Sequence, residues 1–135
     1  MAEKLASLRK KGGGKMSETV LWTNPSPTSA FAAQSVALSD NISKYKYICI
    51  KVWFSTSRND ILTSIYDTSE ITRCIYNSTY VTPSAGIWRT DARHTRDMYY
   101  VDDTHFGFYD DQRILGSSVT TSNTALIPYQ IIGLK

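Results

Sequence analysis

The stretch YKYICIKVWF, residues 45–54, is the strongest strand signal in the chain and decides the fold class. Four apolar residues alternate onto one face: Ile48, Ile50, Val52 and Phe54. The opposite face is also apolar except at Lys51. A strand that is apolar on both faces is typical of the middle of a sheet. The pattern therefore predicts a central strand that is covered on both sides.

Segments of similar character recur along the chain, separated by Pro, Gly, Asp, Asn and Ser-rich turns. We predict strands at 18–22, 34–39, 45–54, 61–66, 71–76, 87–94, 97–103, 105–111 and 125–134, with 117–124 as a polar loop. Short strands with a turn signal about every 8–12 residues are typical of an antiparallel sandwich or barrel. The prediction is an all-β fold, an antiparallel β-sandwich or jelly-roll. Pro128 predicts an edge or a bulge in the last strand.

Residues 1–16 differ from everything that follows. Leu5 and Leu8 are spaced for one side of a short helix, and the three glycines at 12–14 break that pattern. Five basic residues stand here against a single acidic one: Lys4, Arg9, Lys10, Lys11 and Lys15. Two interpretations stay open, a start without fixed structure, or an extended or short-helical anchoring arm that orders only against a partner. The residues assigned to anchoring are Lys4, Leu5, Leu8, Arg9, Lys10, Lys11, Gly12, Gly13, Gly14 and Lys15.

Length and composition restrict the class of protein. With 135 residues, 41% of them hydrophobic and 20% charged, the chain suits one domain, predicted at residues 17–135. No apolar run is long enough to span a membrane, so no membrane insertion is expected. The first fifteen residues carry a net charge of +4 and the remaining residues together carry −1, which gives the formal net charge of +3. The remainder is close to neutral, which argues against a nucleic-acid partner. Cys49 and Cys74 are predicted to be buried free thiols.

The candidate residues for acid–base catalysis or metal binding are the two histidines, His94 and His105. Neither lies in a nucleophile motif such as G-x-S-x-G. Carboxylates flank His105, but their spacing does not match a calcium loop, and strand-end turns explain them more simply. The carboxylates are Asp102, Asp103, Asp110 and Asp111. We therefore predict no enzyme activity and no catalytic, cofactor-binding or metal-binding residues.

An aromatic and arginine-containing segment follows residue 86. Trp, Tyr and Arg are enriched where proteins bind partners. The candidate oligomer or receptor surface consists of Trp88, Arg89, Arg93, Tyr99 and Tyr100. In the alternative interpretation, Trp88 and one of the two tyrosines belong to the core and the arginines are merely solvated.

The segment ETVLWTNPSPTSAFAAQSVALSDNISKYKYICIKVWFSTS, residues 18–57, resembles a short β module of structural proteins from tailed bacteriophages and prophages of Gram-positive bacteria. The shared pattern is a VLW-N-S opening, a QSVALSD strand, a Y-YI-I-V-F strand and an ending like IPYQIIGLK. It covers roughly residues 17–135, is weakest over 58–110, and carries no catalytic residues.

The resemblance implies a non-enzymatic virion protein, assembled in the host cytoplasm: a head fibre, a tail fibre or a baseplate component. It implies a homotrimer that docks on other virion proteins through the N-terminal arm. The β domain would then be exposed for host attachment, with a host-surface glycan as one candidate ligand. Two alternatives stay open: a free carbohydrate-binding, lectin-like module, and a small hydrolase.

Overall fold

The computed structural model describes residues 17–54, 60–78, 83–89 and 92–135, with Arg89 described in its backbone only. These residues form an all-β sandwich of two antiparallel sheets. The strands are β1 (Glu18–Thr23), β2 (Gln34–Ala37), β3 (Tyr47–Phe54), β4 (Asp60–Asp67), β5 (Ser84–Arg89), β6 (Ala92–Asp102), β7 (His105–Leu115), β8 (Ser118–Thr121) and β9 (Leu126–Leu134). A 3-10 helix (Ile42–Lys44) precedes β3, and a one-turn helix, α1 (Thr68–Ile71), follows β4.

The two sheets divide the strands unevenly. Sheet I has the order β1-β9-β3-β4, and sheet II has the order β2-β7-β6-β5. The short strand β8 also pairs with β7. Because β6 pairs along one edge of β7, the strands β2 and β8 share its other edge, β2 at 105–108 and β8 at 112–115. The long strand β7 is therefore hydrogen-bonded to three different strands.

The central position predicted for the 45–54 stretch is confirmed. β3 lies between β9 and β4, and the side chains of its inner face are at most 2% exposed. Pro128 lies opposite Val52, where the register between β3 and β9 shifts by one residue. The predicted bulge is therefore present, and it accommodates a proline in a strand that is paired on both edges.

The core lies between the two sheets. Inward-facing side chains of both sheets form one buried cluster together with residues of the connecting loops. Aromatic rings join the sheets at one point, where Phe108 of β7 contacts Trp22 of β1 and Phe31 of the β1–β2 loop, with ring centroids 5.8 and 5.6 Å apart. Trp22 thereby packs against the sandwich interior from an edge strand.

The strand predicted at 71–76 is wrong. The chain forms α1 there, turns, and makes a single bridge from Ile75 to Tyr100. Asp67 caps the helix, because its side chain accepts a hydrogen bond from the amide of Ser69 at 2.9 Å. Glu70 stands three residues after the cap, so D-T-S-E is a capping pattern that outweighs the strand propensity of the following residues.

The polar loop predicted at 117–124 is also wrong, because β8 occupies 118–121. All four residues of β8 are exposed, so the sequence of this strand has no alternation of apolar and polar residues.

The boundaries of the strands predicted at 87–94 and 97–103 differ from those in the structure. β5 ends at Arg89, and β6 runs without interruption through 92–102. Both cysteines are free and buried, as predicted.

Candidate functional site

The outer face of sheet II carries a row of side chains that crosses four strands. Trp88 pairs with Arg93, Arg93 with Ile114, and Ile114 with Val119. Directly paired residues of neighbouring strands point to the same face of the sheet. Trp88 is 76% exposed and Val119 is 55% exposed. We call these four residues the Trp88 row, and it presents apolar surface and one cation to solvent.

Arg93 lies over a glycine in the same part of the face. A Cβ at Gly86 would be 3.6 Å from Nη2 and 3.7 Å from Nε of Arg93. The guanidinium therefore extends from β6 over the neighbouring edge strand β5. Desolvation raises the pKa of Asp97, and the positive charge of Arg93 opposes this rise. The cation of Arg93 thus lies opposite Trp88 on the paired strand, and its charge is felt by Asp97, which lies opposite Ser84 further along β6.

A cluster of three tyrosines occupies the other end of the same face. The ring centroids of Tyr99 and Tyr109 are 4.8 Å apart, and those of Tyr76 and Tyr109 are 5.3 Å apart with nearly parallel rings. The Tyr99 ring covers Gly107, since a Cβ there would fall 2.1 Å from Cζ. The hydroxyl of Tyr109 accepts a hydrogen bond from the amide of Asn77 at 2.8 Å. This contact fixes the turn that carries the largely exposed Tyr76.

The structure separates the residues that the sequence grouped. Arg93 and Tyr99 share the outer face but stand six positions apart on β6, which is roughly 20 Å along a strand. Tyr100 lies on the inner side, packed against the core, and its hydroxyl donates to Asp103 at 2.5 Å. This hydrogen bond raises the pKa of Tyr100 to about 12. The side chain of Arg89 and the predicted arm, residues 1–16, lie outside the described residues.

A buried network of charged side chains, which was not predicted from the sequence, lies on the inner face of sheet II. Arg96 and Asp111 are both fully buried and paired across β6 and β7. The guanidinium donates to the carbonyl oxygens of Leu126, Tyr109 and Phe31 at 2.7, 2.6 and 2.8 Å. The only hint in the sequence is position, because Arg96 falls on the inward-facing side of an alternating strand.

The two histidines lie in different environments, one in the interior and one at the surface. His94 is buried, with Nδ1 3.8 Å from Oδ1 of Asp111, and neither atom has a hydrogen-bond partner. His105 is at the surface, with Nδ1 2.9 Å from Oδ1 of Asp102. Among the described residues, no three His, Cys, Asp or Glu side chains are grouped to hold a metal ion.

Two open clefts accompany the loop after β1. One, of about 340 Å³, lies on the outer side of sheet I between Trp53, Ile61, Tyr129 and the loop residues Pro27 and Thr28. The other, of about 470 Å³, has a mostly apolar lining that includes Trp22, Phe31 and Val36. No His, Asp, Glu, Lys, Arg or Cys is among the described residues that line either cleft. Their chemistry is therefore that of apolar contact surfaces.

Comparison of the chain with models of known protein families gave no match, and comparison with curated protein sequences gave none either. Within the described part of the chain, no helix is long and apolar enough to cross a membrane.

Proposed function

We propose that this chain is a non-enzymatic structural and adhesive virion protein, a head fibre, tail fibre or baseplate component, that binds its target through the outer face of sheet II. The observation that carries the binding surface is the exposure of Trp88 beside Arg93. The virion assignment is supported by the resemblance of residues 18–57 to phage structural modules.

Without a binding partner, the exposed side chain of Trp88 lowers the stability that the protein could gain from burying it. A large apolar side chain in water gives up the roughly 1.5–3 kcal/mol that full burial provides. Tryptophan and arginine are also the residue types that most often dominate binding energy at interfaces. Trp88 and Arg93 sit side by side on paired strands, so a rigid scaffold holds them ready to bind.

The lectin-like alternative is favoured by the tyrosine cluster. Tyr76 and Tyr109 stack at an interplanar angle of 18°, and Tyr76 is 60% exposed. An exposed aromatic ring offers a flat apolar face to the C–H groups of a sugar ring, and its hydroxyl offers a hydrogen-bonding group. A glycan receptor would thus fit the tyrosine end of the same outer face.

The assignment to a virion is tested by purifying assembled phage particles on a density gradient from host cells that express this chain. The expected result is co-migration of the chain with particles at a fixed number of copies per particle. Recovery only in the unassembled fraction, together with sugar binding by an isolated monomer, would replace the proposal by the lectin-like alternative.

The binding surface is tested with the variants Trp88→Ala and Arg93→Ala in an adsorption assay on host cells. The control is Val20→Ala, which removes an exposed apolar side chain on β1 of sheet I, 48% exposed and outside both clefts. We expect Trp88→Ala to weaken adsorption by about 30-fold, as for the loss of a central interface residue. Equal adsorption by Trp88→Ala and the control would refute the assignment of this face.

The homotrimer is tested by sedimentation equilibrium at micromolar concentration. Closed cyclic assemblies are common among soluble oligomers, and the number three comes from the resemblance. We expect a species of about three times the 15.2 kDa chain mass. A monomer across the concentration range would contradict the trimer.

A further inference from the structure

An aromatic cleft lies on the outer side of sheet I, on the opposite sheet from the surface assigned to target binding. It is the cleft of about 340 Å³ lined by Trp53, Ile61, Tyr129, Pro27 and Thr28. Trp53 of β3 pairs directly with Ile61 of β4, so their side chains share a face. We call these five residues the Trp53 cleft. Its volume lies at the lower end of the range for small-molecule sites, so it suits a ring-sized ligand.

The bulge in β9 holds the walls of the Trp53 cleft together. The register shift between β3 and β9 leaves Tyr129 as the extra residue, between Pro128 and Gln130. Asn24 ties the loop after β1 to this bulge. Its backbone amide donates to the carbonyl of Tyr129 at 2.8 Å, and its side-chain amide donates to the carbonyl of Pro128 at 2.8 Å. Because Asn24 is only 5% exposed, water competes little for these hydrogen bonds. The loop wall and the aromatic wall are therefore preformed.

The next row of side chains on the same face is polar. Lys51 pairs with Thr63 on one side and with Gln130 on the other. This row is two positions from Trp53, which is about 7 Å along β3. The side-chain amide of Gln130 donates to the hydroxyl of Thr23 at 3.2 Å, which leaves the side-chain oxygen of Gln130 as an acceptor. Within the described ranges, no carboxylate forms a salt bridge with Lys51. The row thus places a cation without a counter-charge beside amide and hydroxyl groups.

The combination of an aromatic cleft and a nearby cation favours one class of ligand. Aromatic rings offer a flat apolar face to the C–H groups of a sugar ring. A lysine ammonium has three donors, and its hydrogen bonds are strongest to an anionic acceptor. A purely apolar ligand would make no use of Lys51, and a small free anion would make no use of the rings. The ligand that uses both is a sugar that carries a negative charge.

We propose that the Trp53 cleft and Lys51 together bind an acidic sugar, a pyranose that carries a carboxylate. The sugar ring packs on Trp53 and Tyr129, and the carboxylate pairs with Lys51. The site is on the opposite sheet from the Trp88 row, so both surfaces can be occupied at the same time. The inference does not rest on the assignment to a virion. A ligand of this size binds weakly, with a Kd in the millimolar range, and a polysaccharide that repeats the acidic sugar binds several copies of the protein with higher avidity.

The role of the cation is tested by titrating the full chain with D-glucuronic acid and following backbone amide shifts by NMR. D-glucose is the matched neutral sugar. Lys51→Gln removes the cation and Lys51→Arg keeps it. The control is Lys46→Gln, which removes an exposed lysine about 17 Å away, before the other end of β3. We expect Lys51→Gln to weaken binding of glucuronic acid about tenfold, and Lys51→Arg and Lys46→Gln to change it by less than about twofold. Glucose should bind the unchanged chain about tenfold more weakly than glucuronic acid.

The role of the cleft is tested by filling it from the exposed loop, which leaves the core unchanged. Thr28→Trp places a large side chain at a lining position, and the control Ser29→Trp places it at the next exposed position, which is not among the described lining residues. We expect Thr28→Trp to abolish binding of glucuronic acid and Ser29→Trp to preserve it, with equal urea midpoints for both.

Three results would overturn the proposal: no amide shifts at about 50 mM glucuronic acid, equal affinity for the two sugars, or equal losses in Lys51→Gln and Lys46→Gln. Trp88→Ala should bind glucuronic acid as the unchanged chain does. Loss of binding in that variant would also overturn the proposal, because the sugar would then occupy sheet II.

Discussion

The buried guanidinium of Arg96 gives the sharpest test of the physical account of the fold. Arg96→Met keeps a long apolar side chain and removes every donor. It leaves three main-chain carbonyls, those of Leu126, Tyr109 and Phe31, without their partner in the interior. It also leaves Asp111 fully buried without the neighbouring cation, although Oδ2 still accepts from the amides of Ala125 and Leu126 at 3.0 Å.

The expected loss follows from these contacts. Burial lowers the pKa of Arg96 to about 10, against the opposing effect of Asp111 and Asp110, so the guanidinium is still charged at pH 7. Leaving a buried acceptor without its donor costs about 1–3 kcal/mol. Because three carbonyl groups lose the same donor, we expect a total loss of about 3–5 kcal/mol. That is a large part of the roughly 5–15 kcal/mol by which a domain is stable. The variant should therefore unfold at a clearly lower urea concentration than the unchanged chain.

The measurement is urea unfolding followed by tryptophan fluorescence, with the free energy of unfolding obtained by linear extrapolation. Arg93→Met is the matched control, since Arg93 lies on the same strand with its side chain on the exposed face. We expect the control to change the free energy of unfolding by at most about 0.5 kcal/mol. A loss below about 1 kcal/mol for Arg96→Met, or equal losses for both variants, would refute the reasoning.

Three further predictions address packing and pH. Ile50→Ala should lower the free energy of unfolding by about 2–5 kcal/mol, since Ile50 is fully buried between the sheets; a loss under about 1 kcal/mol in urea unfolding would contradict its central position. Gly107→Ala should cost about 1–3 kcal/mol, because the new Cβ would overlap the Tyr99 ring; Tyr99→Ala should relieve much of that loss, and thermal unfolding of the double variant checks this. The hydrogen bond from Tyr100 to Asp103 raises the folded pKa of Tyr100 to about 12, so its stabilising contribution is complete below about pH 10 and lost between about pH 10 and 12. Tyr100→Phe should therefore reduce the fall of the urea midpoint over that range, and an unchanged fall would contradict it.

The fold class could be predicted because the core strands carry their burial in the sequence. β3 is apolar on both faces, and the structure pairs it on both edges. The Pro128 bulge was predictable for a similar reason, since proline cannot donate a ladder hydrogen bond. Where a strand is both buried and paired on both edges, the pattern of apolar residues in the sequence is sufficient to predict its place in the sheet.

The features that escaped prediction depend on contacts between distant residues or on backbone pairing alone. β8 is exposed at every residue, so its pairing with β7 has no hydrophobic signature. Arg96 binds carbonyl groups that lie 13 to 65 positions away, and no local pattern identifies them. The residues predicted to form one surface do not all share a face, because Tyr99 and Tyr100 are adjacent in sequence and point to opposite faces of β6.

The place of β9 in sheet I has a consequence for how the domain is synthesised. β9 is the last strand in chain order, yet it lies between β1 and β3 and pairs with both. β3 ends at Phe54 and β9 begins at Leu126. A ribosome that adds about 5–20 residues per second needs roughly 4–14 s to cover that interval. During this time β3 has an unpaired edge and no completed sheet around it. The nascent chain is therefore open to non-native strand pairing until its final strand emerges, and slower translation of residues 55–125 would lengthen that exposure.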